Sequence, residues 1–174
     1  MIAPIRPRAA TVLSVIWLYL GPSSALGGIA GLAGGAAVLS LLPDPGNVEA
    51  PFFGLPACFL GATVSGVLGT AGAWKLLALT HRGRALLELA NWIAVGTIAL
   101  FTLIFVLGVA TTIEPFGHRV VRWEGMDLAL RAIAIAAVHA VPFLVMARKL
   151  RAPVVRFAVR DAEARRERAL TSES

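Results

Sequence analysis

Residues 89–113 read LANWIAVGTIALFTLIFVLGVATTI and contain no Asp, Glu, Lys, Arg or His. A bilayer's hydrocarbon core is about 30 Å thick, and roughly 20 apolar helical residues cross it. A surface helix of a water-soluble domain keeps one polar face; this stretch has none. Ala9–Leu42 and Pro51–Trp74 likewise lack ionisable residues, and Leu128–Leu144 is interrupted only by Arg131 and His139. These four segments predict an all-α integral membrane protein, a bundle of four transmembrane helices with an amphipathic C-terminal cytoplasmic helix.

The composition agrees. Of 174 residues, 57% are hydrophobic and 15% charged, against about a quarter charged in soluble domains. The crossings fall at about 24–42, 52–80, 85–112 and 126–150 within a membrane domain 1–150, followed by a basic tail 151–174. The net charge of +6 does not point to nucleic acid, because the basic residues gather in particular loops and in the tail. The single cysteine, Cys58, permits no intrachain disulfide and reads as a small packing residue.

Orientation follows from loop charge, since Lys and Arg mark the cytoplasmic side. The N-terminal segment has Arg6 and Arg8, and the loop 43–50 has no basic residue but carries Asp44 and Glu49. Lys75, Arg82 and Arg84 surround the second loop; Arg119 and Arg122 in the third are offset by Glu114 and Glu124. The tail after Met146 holds eight basic residues. Both termini are therefore expected in the cytoplasm of a bacterial-type inner (plasma) membrane. Turn-forming Pro43-Asp44-Pro45-Gly46-Asn47, Glu114-Pro115-Phe116-Gly117 and an interfacial Trp123 fall on the opposite side.

The first segment is longer than one crossing needs, and Gly21-Pro22 interrupts it. Pro removes a helical hydrogen bond and crowds the preceding turn. Three readings compete: one long kinked helix, an interfacial helix over Thr11–Leu20 before a crossing at Ser24–Leu42, or a signal peptide cleaved after Ser23-Ser24-Ala25.

Within lipid, helices associate through close approach at small residues. Gly27, Gly31 and Gly35 repeat every four residues in the first segment, as do Gly61, Ser65 and Gly69 in the second. These stripes are expected to join the two helices or to serve a homo-oligomer. In the tail, Val154, Val155, Ala158, Val159 and Ala162 share one helical face. Arg148, Lys149, Arg151, Arg156 and Arg160 supply cations for anionic lipid headgroups.

Ionisable residues inside spans are costly and mark sites of interest. Lys75 and Glu88 flank the second loop at similar depth and are expected to pair, with Arg84 competing for the carboxylate. Asn91 lies one turn deeper and reads as an interhelical hydrogen bond. Arg131 has Asp127 four residues earlier. His139 has no ionic neighbour, and Pro142 frees the carbonyl of Val138.

No phosphate-binding loop, nucleophile elbow or metal-ligand spacing is present, so the chain is expected to be non-catalytic. Three functions follow. The first is an accessory or structural subunit of a larger membrane complex, partnered by other membrane subunits. The second is an oligomeric channel or transporter with a polar path near His139, Asn91, Glu88 and Lys75. The third is a membrane anchor carrying haem or pigment on His139; no other cofactor and no metal is expected.

Overall fold

The structure is a computed structural model that describes residues 7–41, 50–113, 119–121 and 123–172. Arg6, the turn at 43–47, Asp44, Glu49, residues 114–118 and Arg122 lie outside the described residues, and so does the side chain of Trp123. Five helices follow in order: α1 (Arg8–Leu41), α2 (Ala50–Leu77), α3 (His81–Ala110), α4 (Trp123–Leu150) and α5 (Pro153–Ser172). Between α3 and α4 lies a short antiparallel ladder of β1 (Thr111–Ile113) and β2 (Arg119–Val121), with Thr112 opposite Val120. Charge and hydropathy predict no strand here; Thr-Thr-Ile and Val-Val are β-branched residues that suit one.

The first four helices are each long and apolar enough to cross a membrane. Their outward surfaces carry Leu26, Ile29, Leu60, Val67, Leu103 and Leu130, all exposed, as lipid-facing helices require. Of the three readings of the first segment, the structure has the single long helix and not the division into two. Residues 8–41 form one helix that continues through Pro22. Its first half is no separate surface element, because Leu13, Ser14 and Trp17 are buried in the bundle.

Small residues set the helix contacts, with a different distribution from the one expected. A Cβ on Gly28 would strike Thr63 and the backbone of α2, one on Gly31 would strike Phe59, and one on Gly69 would run into the indole of Trp17. These three join α1 to α2. Gly27 and Gly35, by contrast, face open space, and a Cβ on either would meet nothing within 4 Å. Gly61 and Ser65 face α3: a Cβ on Gly61 would meet Thr97, and Ser65 Oγ donates to Ala90 O at 3.0 Å. The reason is helical rotation. Residues at i and i+4 drift by about 40° per step, so the Gly61–Gly69 stripe starts toward α3 and ends toward α1.

The α2–α3 turn is closed by its own chemistry. Thr80 N and Leu79 N donate to Lys75 O and Leu76 O at 3.1 and 2.8 Å, the paired bonds that end a helix through a left-handed residue. That residue is Leu79, with φ of 50°; its burial in the core offsets the steric penalty that a non-glycine side chain meets there. Thr80 Oγ1 accepts Gly83 N–H at 3.1 Å and caps the start of α3.

The core is concentrated at the basic end of the bundle. Ala10, Leu13, Trp17, Leu76, Leu87, Met146 and Leu150 pack there with Val159 and Ala162 of α5. The tail face expected to meet lipid is therefore turned against the bundle: Val155, Val159 and Ala162 are buried, whereas Val154 and Phe157 are exposed. Leu76, Leu79 and Leu150 leave apolar surface at the bundle end, and α5 covers it.

Candidate functional site

The polar residues of the apolar helices fall at three separate places. The first is the basic rim. Glu88 sits two turns into α3 and pairs with Arg151, just past the end of α4; Arg151 Nε donates to Glu88 Oε1 at 2.6 Å and a second guanidinium nitrogen reaches the same oxygen. The guanidinium also lies over the Trp92 ring, 5.8 Å from its centroid, within the range of a cation–π contact. The expected Lys75–Glu88 pair is corrected: among the described residues no ion pair joins them, and Lys75 is exposed. Arg84 does not take Glu88 either; its Nη2 lies 3.3 Å from His81 Nε2. Sequence proximity favours those cations, but the α4–α5 corner delivers Arg151 to α3 from 63 residues away.

The second place is the interior. Asn91 is 1% exposed. Its Nδ2 donates to Leu87 O at 2.7 Å in its own helix, which corrects the expected interhelical bond. Its Oδ1 is buried without a hydrogen-bond partner, as are Ser14 Oγ and Trp17 Nε1. Trp17 stacks at a tilt on Phe143, with ring centroids 5.9 Å apart, and this contact ties α1 to α4.

The third place is the half of α4 away from the basic end. Arg131 pairs with Asp127 at 2.8 Å, and both are more than two-thirds exposed. His139 is exposed, and its Nδ1 lies 2.8 Å from Ile135 O. It stands seven residues before Met146 and so on the same side of α4. Met146 is buried in the core that Ala10, Leu13 and Trp17 of α1 also join, whereas at the level of His139 that side of α4 is uncovered: Ile135, Val138 and Pro142 are all exposed. The seam between α1 and α4 thus closes at the basic end and stands open above Phe143.

His139, Asn91, Glu88 and Lys75 do not converge. One is on the open side of α4, one is in the interior, one is ion-paired at the rim and one is on the surface. Among the described residues no three His, Cys, Asp or Glu side chains gather closely enough to hold a metal ion.

The tail contributes what sequence reasoning missed. Glu163 accepts the backbone N–H of His81 at 2.7 Å, at the first residue of α3, and Arg166 donates to Ala78 O at the end of α2. A carboxylate on a helix N-terminus and a guanidinium on a helix C-terminus both complement the helix dipoles. The alternation of Glu163, Arg165, Arg166 and Glu167 carries no sign of which neighbour is recruited. Of the expected headgroup cations, Arg151 is committed to Glu88, while Arg148, Lys149, Arg156 and Arg160 are exposed. No family model, curated protein or solved structure matches this chain.

Proposed function

We propose that the chain is a non-catalytic small polytopic membrane protein, an accessory or structural subunit of a larger membrane complex, held in a bacterial-type inner membrane with both termini cytoplasmic. The loop charge count supports the orientation, because Lys75, Arg82, Arg84 and the tail cations cluster at one end of the bundle.

One observation carries the subunit reading: His139 on the uncovered side of α4. A polar side chain within a span normally faces protein or a water-filled cavity. Here the imidazole and the carbonyl of Val138, which Pro142 leaves without its helical donor, both stand where α1 does not reach. A helix from a partner subunit laid into the α1–α4 seam would cover both. The dispersal of His139, Asn91, Glu88 and Lys75 gives the transport path no comparable support. Among the described residues no second histidine stands opposite His139 to complete a haem site within one copy.

The experiment is extraction in mild detergent followed by native mass determination. The expected result is a complex containing at least one other polypeptide, which His139→Trp releases while leaving the chain helical and monodisperse. A pure homo-oligomer that supports ion or solute flux in proteoliposomes would overturn the proposal in favour of the channel reading. A Soret band in the purified protein would overturn it in favour of the anchor.

A further inference from the structure

On a different face of α4 from His139, the seam with α3 is not closed tightly. A groove of about 420 Å³ runs along it, walled by Val95, Leu103 and Val106 of α3 and by Ile133, Ala136 and Ala140 of α4. Its surface is almost wholly apolar, and Thr102, a hydroxyl in the wall, donates to Ile98 O at 2.7 Å within its own helix. The groove takes this form because α3 offers large side chains where α4 offers alanines, so the two ridges do not fill the space between them.

Its inner end is different in kind. Three turns of α-helix span about 11 residues, so the faces that wall the groove can be followed toward the basic rim. On α4, Ala137 leads to Arg148, and Arg151 follows just past the helix end with its guanidinium over Trp92 of α3. On α3, Leu103 leads to Trp92, Ala99 to Glu88 and Val95 to Arg84. Beyond the last groove residues, Val95 and Ala140, the same seam carries Trp92 one turn on, with the Arg151 guanidinium over its ring, and then Glu88 and Arg148. Glu88 occupies Nε and one terminal nitrogen of Arg151. A guanidinium has five N–H donors, which leaves others free, and Arg151 is 58% exposed. Arg148 is exposed and in no ion pair among the described residues.

From Val95 to Val106 the groove extends about 16 Å along α3 at 1.5 Å per residue, close to half of a hydrocarbon core about 30 Å thick. Its length is that of one leaflet, its wall is hydrocarbon, and the Arg151 guanidinium over Trp92 stands one turn beyond Val95.

We propose that the α3–α4 groove seats an acyl chain of an anionic phospholipid, with the phosphate held at the rim by Arg148 and the free donors of Arg151. The site rests on the membrane placement given above and not on the subunit reading. A partner helix in the same groove would have to bring an acidic end to a rim that already has one carboxylate, whereas a phospholipid carries its phosphate and its chain at the required separation.

The test is competitive lipid retention by the full chain. Purified, delipidated protein is offered equal amounts of phosphatidylglycerol and phosphatidylcholine with identical chains, and retained lipid is read by native mass spectrometry. Phosphatidylglycerol is expected to be kept in preference. Arg148→Gln is expected to lower that preference by about fivefold, the equivalent of about 1 kcal/mol for one basic residue near a membrane surface. Ala136→Leu with Ala140→Leu is expected to remove both lipids. Should the double variant fail to fold, the wild-type chain answers alone: phosphatidylglycerol with a diazirine in its acyl chain should label residues 95–106 and 133–140 above the outward face of α1 at Leu26 and Ile29. Equal retention of the two lipids, or labelling spread evenly over all outward faces, overturns the site. So does a leucine variant that keeps its lipid but loses a bound polypeptide or second copy, which would make the groove a helix seat. A chain that stays monodisperse without detergent overturns the membrane placement and the site with it.

Discussion

Arg151 reaches from the end of α4 to Glu88 on α3, with Nε donating to Oε1 at 2.6 Å, and in doing so fixes the corner from which α5 departs. The two partners are unequally wet: the Glu88 side chain is 21% exposed and that of Arg151 is 58%. The carboxylate therefore depends more on the pair than the guanidinium does. Arg151→Gln should destabilise the bundle by about 1–2 kcal/mol, between the value of an exposed pair and the cost of leaving a half-buried acceptor short of a donor. Lys75→Gln, at the cation that sequence proximity favours, should stay within about 0.5 kcal/mol, as surface substitutions do. Thermal melts in detergent of both variants, and of the charge-swapped Glu88→Arg/Arg151→Glu pair, check this. An effect at Lys75 equal to that at Arg151 would contradict the assignment.

The glycines divide sharply by environment. The space beside Gly69 is filled by Trp17, whereas Gly27 and Gly35 look onto open space. Gly69→Ala must displace the indole that ties α1 to Phe143 of α4 and should cost about 1–3 kcal/mol, as overpacking commonly does. Gly27→Ala and Gly35→Ala should be neutral or slightly stabilising, because alanine is the better helix former. Melting temperatures of the three single variants in one detergent decide this. A Gly27→Ala variant as damaged as Gly69→Ala would mean that another chain covers that face.

Much of the architecture is legible in residue order, because the bilayer imposes one rule that each segment meets or fails on its own. The absence of charge from 89–113 identifies a helix apolar enough to cross a membrane without reference to anything else in the chain. Gly21-Pro22 does not divide α1, for a reason that residue order hides: Pro22 removes one donor and crowds the preceding turn, but the packing of Trp17 and Gly28 against α2 holds the helix on both sides of it. Contacts are less legible than elements. Glu88 has Lys75 and Arg84 close in sequence, yet its partner is 63 residues away. Likewise, nothing local to Val155 and Val159 distinguishes burial by lipid from burial by the bundle end. An apolar helical face states that it is covered and not by what.

The docked tail is expected to stabilise the whole bundle. Val159 is 1% exposed beneath Leu76 and Leu150, and Glu163 and Arg166 complete the ends of α3 and α2. Val159→Asp would place a carboxylate in that apolar contact and should undock α5, at a cost of about 2–4 kcal/mol for burying an unpaired polar group. Glu163→Gln should cost about 0.5–1 kcal/mol, since it keeps an acceptor for His81 N–H but loses the charge at the helix N-terminus. Limited proteolysis at Arg165, Arg166 and Arg168, compared with the wild-type rate, reports undocking directly. A Val159→Asp tail as protected as the wild type would show that α5 is held by something other than this contact.

Acid should loosen the tail through a single surface pair. Asp161 accepts from Arg165 through Nε at 3.0 Å and through a terminal nitrogen at 2.5 Å, and this hydrogen bonding, with the nearby charges of Arg165 and Arg168, holds its carboxyl below the ordinary aspartate value of 3.8. A carboxyl whose value is depressed in the folded state contributes stability that is fully present above the unfolded value. That contribution is lost as pH falls through the folded value, so the effect belongs to the region below about pH 4 and is absent at neutrality. The pair is exposed and i,i+4, so its contribution is small and salt-sensitive. The helical content of α5, followed by circular dichroism between pH 5 and 2 at low salt, should fall more in the wild type than in Asp161→Asn, whose amide cannot titrate. High salt should narrow the difference. Identical acid profiles for the two proteins would remove Asp161 from the account of tail docking.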